Sequence, residues 1–259
     1  MRPAGTLDIA LNAGTWADIY SVNVSGGGPT IAQNVWVEIH GAGLTRPSLY
    51  GSGLVWSTAP SFASGQMPKQ IGGTSVTVDG KPAYVYYASP TQVNVLTPLD
   101  STLGPVTVTV SNGSATSPAY TAHIASTSPG FLRFGDGIHI AAMHVDYSLL
   151  GPASMSVPGY TFTPAKRGEI ILLFGDGFGL PLTTLTAGSA VQVGDLPKPW
   201  PQVTMGGAPA AVDYAGVISP GLYQLNVTVP QTASIGDNQV IATYGGASSP
   251  AGAVIPVSH

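Results

Sequence analysis

Gln92-Val93-Asn94-Val95-Leu96-Thr97-Pro98 returns later in the chain as Gln224-Leu225-Asn226-Val227-Thr228-Val229-Pro230. Three further blocks recur in the same order. Val37-Glu38-Ile39-His40-Gly41-Ala42-Gly43-Leu44 matches Ile171-Leu172-Leu173-Phe174-Gly175-Asp176-Gly177-Phe178. Val76-Thr77-Val78-Asp79-Gly80-Lys81-Pro82-Ala83 matches Val203-Thr204-Met205-Gly206-Gly207-Ala208-Pro209-Ala210. Gly113-Ser114-Ala115-Thr116-Ser117-Pro118 matches Gly245-Gly246-Ala247-Ser248-Ser249-Pro250. Four blocks in one order make the chain two copies of a single unit.

The unit is a β module. Val106-Thr107-Val108-Thr109-Val110 alternates strictly, which places Val toward a core and Thr toward water. Asp79-Gly80 and Asn112-Gly113 supply the positive φ angles of tight turns. Short strands over Val76–Val78, Tyr84–Tyr87, Gln92–Leu96 and Val106–Val110, repeated in both copies, predict an all-β chain of two tandem immunoglobulin-like sandwiches. The expected divisions are a lead-in over 1–34, module 1 over 35–125, a connector over 126–164 and module 2 over 165–259.

Composition agrees with that architecture and narrows the partners. The 259 residues include 34 glycines and 23 prolines, while charged residues make up 8%. Helices need solvated charged faces and tolerate few internal Gly or Pro, so a helical fold is excluded. A hydrophobic content of 44% with a net charge of -4 argues against disorder. Eight scattered basic residues form no stripe for phosphates, so nucleic acid is not an expected partner. Cysteine is absent, which removes disulfides, thiol nucleophiles and thiolate metal sites together. No run of 18 apolar residues exists to span a membrane, and Met1-Arg2-Pro3 is not followed by the apolar core of a signal peptide.

Three stretches resemble the IPT/TIG-type immunoglobulin-like domains, in the tandem form found at the C-termini of large secreted Acidobacteria (Solibacter) proteins. They are Val76–Tyr87, Ser89-Pro90-Thr91-Gln92-Val93-Asn94-Val95 and Gly221-Leu222-Tyr223-Gln224-Leu225-Asn226-Val227. The resemblance implies an early-set immunoglobulin-like fold and an extracellular or cell-surface setting. It brings no catalytic residue with it. Its expected role is structural, adhesive or in assembly, with a protein or glycan at the cell surface as partner.

Two places carry candidate chemistry. In Gly135–Ser148, Asp136, His139, His144 and Asp146 offer the ligand types of a zinc or other divalent metal site, and hence of a metal-dependent hydrolase. Spacing opposes convergence, because His139 lies five residues from His144 and points away from it on a strand. The competing role for these residues is hydrogen bonding at the joint between modules. The second place is the aromatic set Tyr84, Tyr86 and Tyr87, a candidate ligand platform, with Tyr84 and Tyr86 expected on one strand face and Tyr87 on the other. Phe134-Gly135-Asp136-Gly137 and Phe174-Gly175-Asp176-Gly177 both read as turns. The lead-in strand, Leu7–Val24, is expected to pair with an edge of its own module or of a second copy, which would allow self-assembly.

Overall fold

The computed structural model describes residues 17–46, 53–56 and 63–259. The chain is built almost wholly from strands joined by glycine-rich turns. Its first half contains β1 (Asp18–Val24), β2 (Thr30–Ile31), β3 (Trp36–Ala42), β4 (Leu54–Val55), β5 (Gln70–Ile71) and β6 (Thr74–Val78). It continues with β7 (Lys81–Pro82), β8 (Tyr84–Ala88), β9 (Gln92–Leu96), β10 (Gly104–Ser111) and β11 (Tyr120–Ile124). One sheet of five strands runs β1-β3-β9-β8-β4, and a second runs β2-β11-β10-β6-β5 with β7 beside β6. Their inward side chains, among them Val37, Ile39, Val76, Val78, Val93, Val95, Val108 and Val110, form one core. This is a β-sandwich.

The second half opens with β12 (Gly130–Phe131), β13 (Ala142–His144), β14 (Leu149–Leu150), β15 (Phe162–Thr163) and β16 (Ala165–Lys166). Then come β17 (Ile170–Asp176), β18 (Gly194–Asp195), β19 (Gln202–Met205), β20 (Ala208–Ser219) and β21 (Leu222–Thr228). The last strands are β22 (Gly236–Tyr244), β23 (Ala247–Ser248) and β24 (Val254–Ser258). Here β20 pairs with β19 through Ala208–Ala210 and with β21 through Ala211–Ser219, so a single strand turns the corner between the two sheets. A second core, including Phe131, Leu173, Tyr223, Leu225 and Val240, fills the space between them.

Local chemistry repeats as the sequence does. Gln92 Nε2 donates to Asn94 Oδ1 at 2.8 Å, and Gln224 Nε2 to Asn226 Oδ1 at 2.8 Å. The Ser117 hydroxyl accepts the Val110 amide at 3.1 Å, and the Ser249 hydroxyl accepts the Ala242 amide at 3.0 Å. Asp79 and Gly80 both take positive φ, 51° and 69°, as the tight turn requires.

The lead-in and connector segments contain strands of the sandwiches themselves. Within 1–34, β1 pairs with β3 of the same chain, and β2 crosses to run parallel to β11. Within 126–164, β12 and β13 pair with β17, after which β16 runs parallel to β24. Each unit therefore begins with a stretch that serves first one sheet and then the other. Sequence periodicity misses this because β2 and β16 are only two residues long. Of the expected assembly strand, 7–16 lies outside the described residues, and Asp18–Val24 is placed on its own sheet. No helix among the described residues is long and apolar enough to cross a membrane.

Candidate functional site

The His/Asp stretch is divided by its own turns into separate pairs, all within the second sandwich. Asp136 caps a turn by accepting the Ile138 and His139 amides, and its Oδ2 lies 2.5 Å from His139 Nδ1. The other ring nitrogen of His139 faces Asp237 Oδ1 at 3.3 Å. Because the two carboxylates sit at opposite nitrogens of one imidazole, they do not face a common point. Desolvation by burial acts to raise the Asp136 carboxyl, but His139 and the two amides outweigh it and hold it below the ordinary range.

His144 Nδ1 meets Glu169 Oε1 at 2.5 Å, while its Nε2 lies 2.9 Å from the Thr163 hydroxyl. Asp146 turns to Ser148, accepting its hydroxyl at 2.6 Å and its amide at 2.9 Å, and these bonds lower its carboxyl. Of the four, Asp136 and His139 are thus paired, while His144 and Asp146 are directed to other partners. Among the described residues no group of three or more His, Asp or Glu side chains is arranged to hold a metal ion. Glu169, the partner of His144, and Asp237, the second carboxylate at His139, lie 25 and 98 residues from them, beyond any local motif.

The aromatic set lies on the outer face of the first sheet, and a bulge decides which rings are available. The β8–β9 register runs Val85↔Val95 and then Tyr87↔Asn94, which leaves Tyr86 as the extra residue. Tyr87 consequently stands opposite Asn94 on the outer face, rather than on the side away from Tyr84 and Tyr86. Tyr84 is buried at 7% exposure in a cluster with Met67 and Leu96, packed by Trp36, Trp56 and Ala190. Tyr86 is 40% exposed and meets Trp36 and Trp56 edge-on, at ring-centroid distances of 5.7 Å and 5.0 Å. Trp36 and Trp56 are distant from Tyr86 along the chain and are brought to it by the fold.

That cluster is roofed by the second sandwich. Trp36 Nε1 donates to the Pro220 carbonyl at 2.8 Å, and a Cβ on Gly221 would stand 2.4 Å from Leu96 Cδ1. Backbone bonds run from Met67 to Gly188 at 2.7 Å and from Ala190 to Gly65 at 2.8 Å. Asn34 Nδ2 donates to Gln192 Oε1 at 2.9 Å, and the Ser128 hydroxyl donates to the Thr30 carbonyl at 2.5 Å. The Gly26 amide reaches Asp176 Oδ2 at 3.1 Å. Asp176 is therefore no exposed turn residue: it is fully buried at the junction, with Oδ1 unpartnered. Burial pushes its carboxyl well above the ordinary range, the Gly26 amide opposes that, and the nearby Glu38 adds to it.

Strand pairing and seam together define a tandem of immunoglobulin-like β-sandwiches joined by a close-packed junction. No protein-family profile matches the chain, and no curated protein matches it. Among solved structures, it is similar to the plexin A4 extracellular region (15% identity, TM-score 0.28), covering 99% of this chain and 20% of that one. Domains 5–6 of the S-layer protein SbsC match at 9% identity and TM-score 0.26, covering 93% of this chain and 98% of that one. The titin Ig tandem domains A164-A165 match at 9% identity and TM-score 0.19, covering 93% and 99%. The chain spans about a fifth of the plexin chain, and at such scores these likenesses carry no function across.

Proposed function

We propose that the chain is a non-catalytic, extracellular pair of IPT/TIG-type modules with a structural and adhesive role, acting as a stiff spacer that holds one sheet face in a fixed position. The observation that supports this is the seam. Hydrogen bonds from Gly26, Asn34, Trp36, Met67, Ser128 and Ala190 cross between the sandwiches, and Tyr84, Leu96 and Met67 are buried at the crossing. Domains meant to move independently meet through small polar contacts; a joint with a buried apolar cluster does not bend freely. The low charge also suits a module whose work is done by hydroxyl and amide groups.

The test is small-angle scattering combined with urea unfolding of the full chain, following Trp36 and Trp56 in one sandwich and Trp200 in the other. One cooperative transition and a single particle shape are expected. Two separate transitions, with a scattering profile of two freely jointed bodies, would refute the spacer.

A further inference from the structure

We propose that the outer face of the first sheet, where Glu38, His40, Gln92 and Asn94 adjoin, binds a neutral saccharide chain. This deepens the adhesive reading above and rests on it for the fixed position of the second sandwich at one end of the face.

The register places the groups in two rows. Asn23 pairs with Glu38, Glu38 with Asn94, and Asn94 with Tyr87. Beside them Ser21 pairs with His40, and His40 with Gln92. Directly opposite residues share a face, so carboxylate, imidazole, hydroxyl and three amides stand within neighbour distance of one another. The bond from Gln92 to Asn94 uses one donor and one acceptor, which ties the two amides together and does not use Gln92 Oε1 or Asn94 Nδ2. Glu38 Oε2 lies 3.6 Å from His40 Nε2 with both side chains accessible.

The second sandwich provides an internal control. Its Gln224 and Asn226 make the same bond, yet the residues opposite them on β17 are Phe174 and Leu172, where the first sandwich has His40 and Glu38. Both sandwiches thus share the Gln-x-Asn pair, and the second forms without the carboxylate or the imidazole. Those two groups are additions to one face only, in a chain with just 12 acidic residues and five histidines.

The chemistry selects the occupant. Amides present a donor and an acceptor side by side, and a carboxylate presents two acceptors, a set that suits adjacent hydroxyl groups. The five strands of this sheet carry no Lys or Arg, so an anionic ligand would find no counter-charge. Trp36 lies on the same side of β3 as Glu38 and His40, and Tyr86, 40% exposed and packed edge-on against it, adds aromatic surface for the apolar side of a sugar ring. Pro220 and Gly221 of the second sandwich stand at that end of the face.

The experiment titrates cellohexaose, xylohexaose, laminarihexaose and chitohexaose into the full chain, read by calorimetry and tryptophan fluorescence. Saturable binding of at least one is expected. Asn94→Ala and the near-isosteric Glu38→Gln should each weaken it about tenfold or more, with folding checked by thermal melts. Asn226→Ala, the counterpart in the second sandwich, should leave affinity within about twofold. The proposal is overturned if none of the four binds at millimolar concentration. It is equally overturned if Asn226→Ala does the same damage as Asn94→Ala, or if the face prefers a sulfated oligosaccharide or a lysine-rich peptide. Loss of the saccharide site would leave the single unfolding transition intact, so it is distinguishable from failure of the spacer.

Discussion

Trp36 of the first sandwich donates its indole N–H to the Pro220 carbonyl of the second at 2.8 Å, while its ring lies edge-on to Trp56 at 5.4 Å. One side chain therefore both belongs to a ring cluster and ties the modules. Trp36→Phe keeps most of the ring and removes the donor, at an expected cost of about 1 kcal/mol. Trp36→Ala empties the cluster and should cost about 3–5 kcal/mol. Urea midpoints measure both, and equal stability of the two variants would contradict a role for the ring.

Backbone approaches backbone where the lead-in passes the start of the second sandwich. A Cβ on Gly130 would lie 2.1 Å from the Gly26 carbonyl oxygen, whereas one on Gly28 would meet nothing within 4 Å. Gly130→Ala is expected to lower the melting temperature severely or prevent folding. Gly28→Ala should be neutral or slightly stabilising, by up to about 1 kcal/mol. Comparable melts for the two variants would place the close approach elsewhere.

Asp176 gives the junction a pH dependence. Its folded carboxyl lies above its unfolded value, so its contribution to stability is greatest below the unfolded pKa of about 4 and is lost as pH rises toward the folded one. Asp176→Asn keeps an acceptor for the Gly26 amide and carries no charge. The variant should melt higher than wild type at pH 8, with the gap narrowing below pH 5. A variant that is less stable at every pH would show the carboxyl to be needed for itself.

Asp100 behaves in the opposite sense. Lys81, 2.6 Å away, holds its carboxyl down at about 2; burial opposes this, and the Thr102 amide and hydroxyl assist. A lowered carboxyl stabilises the fold above the unfolded value of about 4, and that stability is lost as pH falls toward 2. Since Lys81 is half exposed, the effect is expected at about 1–2 kcal/mol, below full linkage. Asp100→Asn should flatten the acid limb of the stability curve between about pH 5 and 2. An unchanged limb would mean the pair contributes nothing.

Strand content was legible because side-chain alternation and turn residues are local signals. Val106, Val108 and Val110 point inward from β10, and Asp79-Gly80 turns as its dipeptide implies. What stayed hidden depends on distant partners. Phe-Gly-Asp-Gly reads alike at Asp136 and Asp176, yet one carboxylate caps an exposed turn and the other is buried and meets the amide of a turn residue 150 positions away. The bulge at Tyr86 could not be read from alternation, since it is defined only by the register with β9. His139 and His144 look like one cluster along the chain, but in space His139 lies between Asp136 and Asp237 and His144 meets Glu169.

The parallel pairs β2–β11 and β16–β24 set how each sandwich answers to force. In both, the strand near the start of the unit lies alongside the strand at its end and runs in the same direction. Tension applied at the two ends of the chain pulls such partners past each other along their length. Their hydrogen bonds are then loaded in shear and must fail together, whereas an antiparallel pair can be unzipped one bond at a time. The proposed spacer would thereby be clamped at these two pairs when stretched.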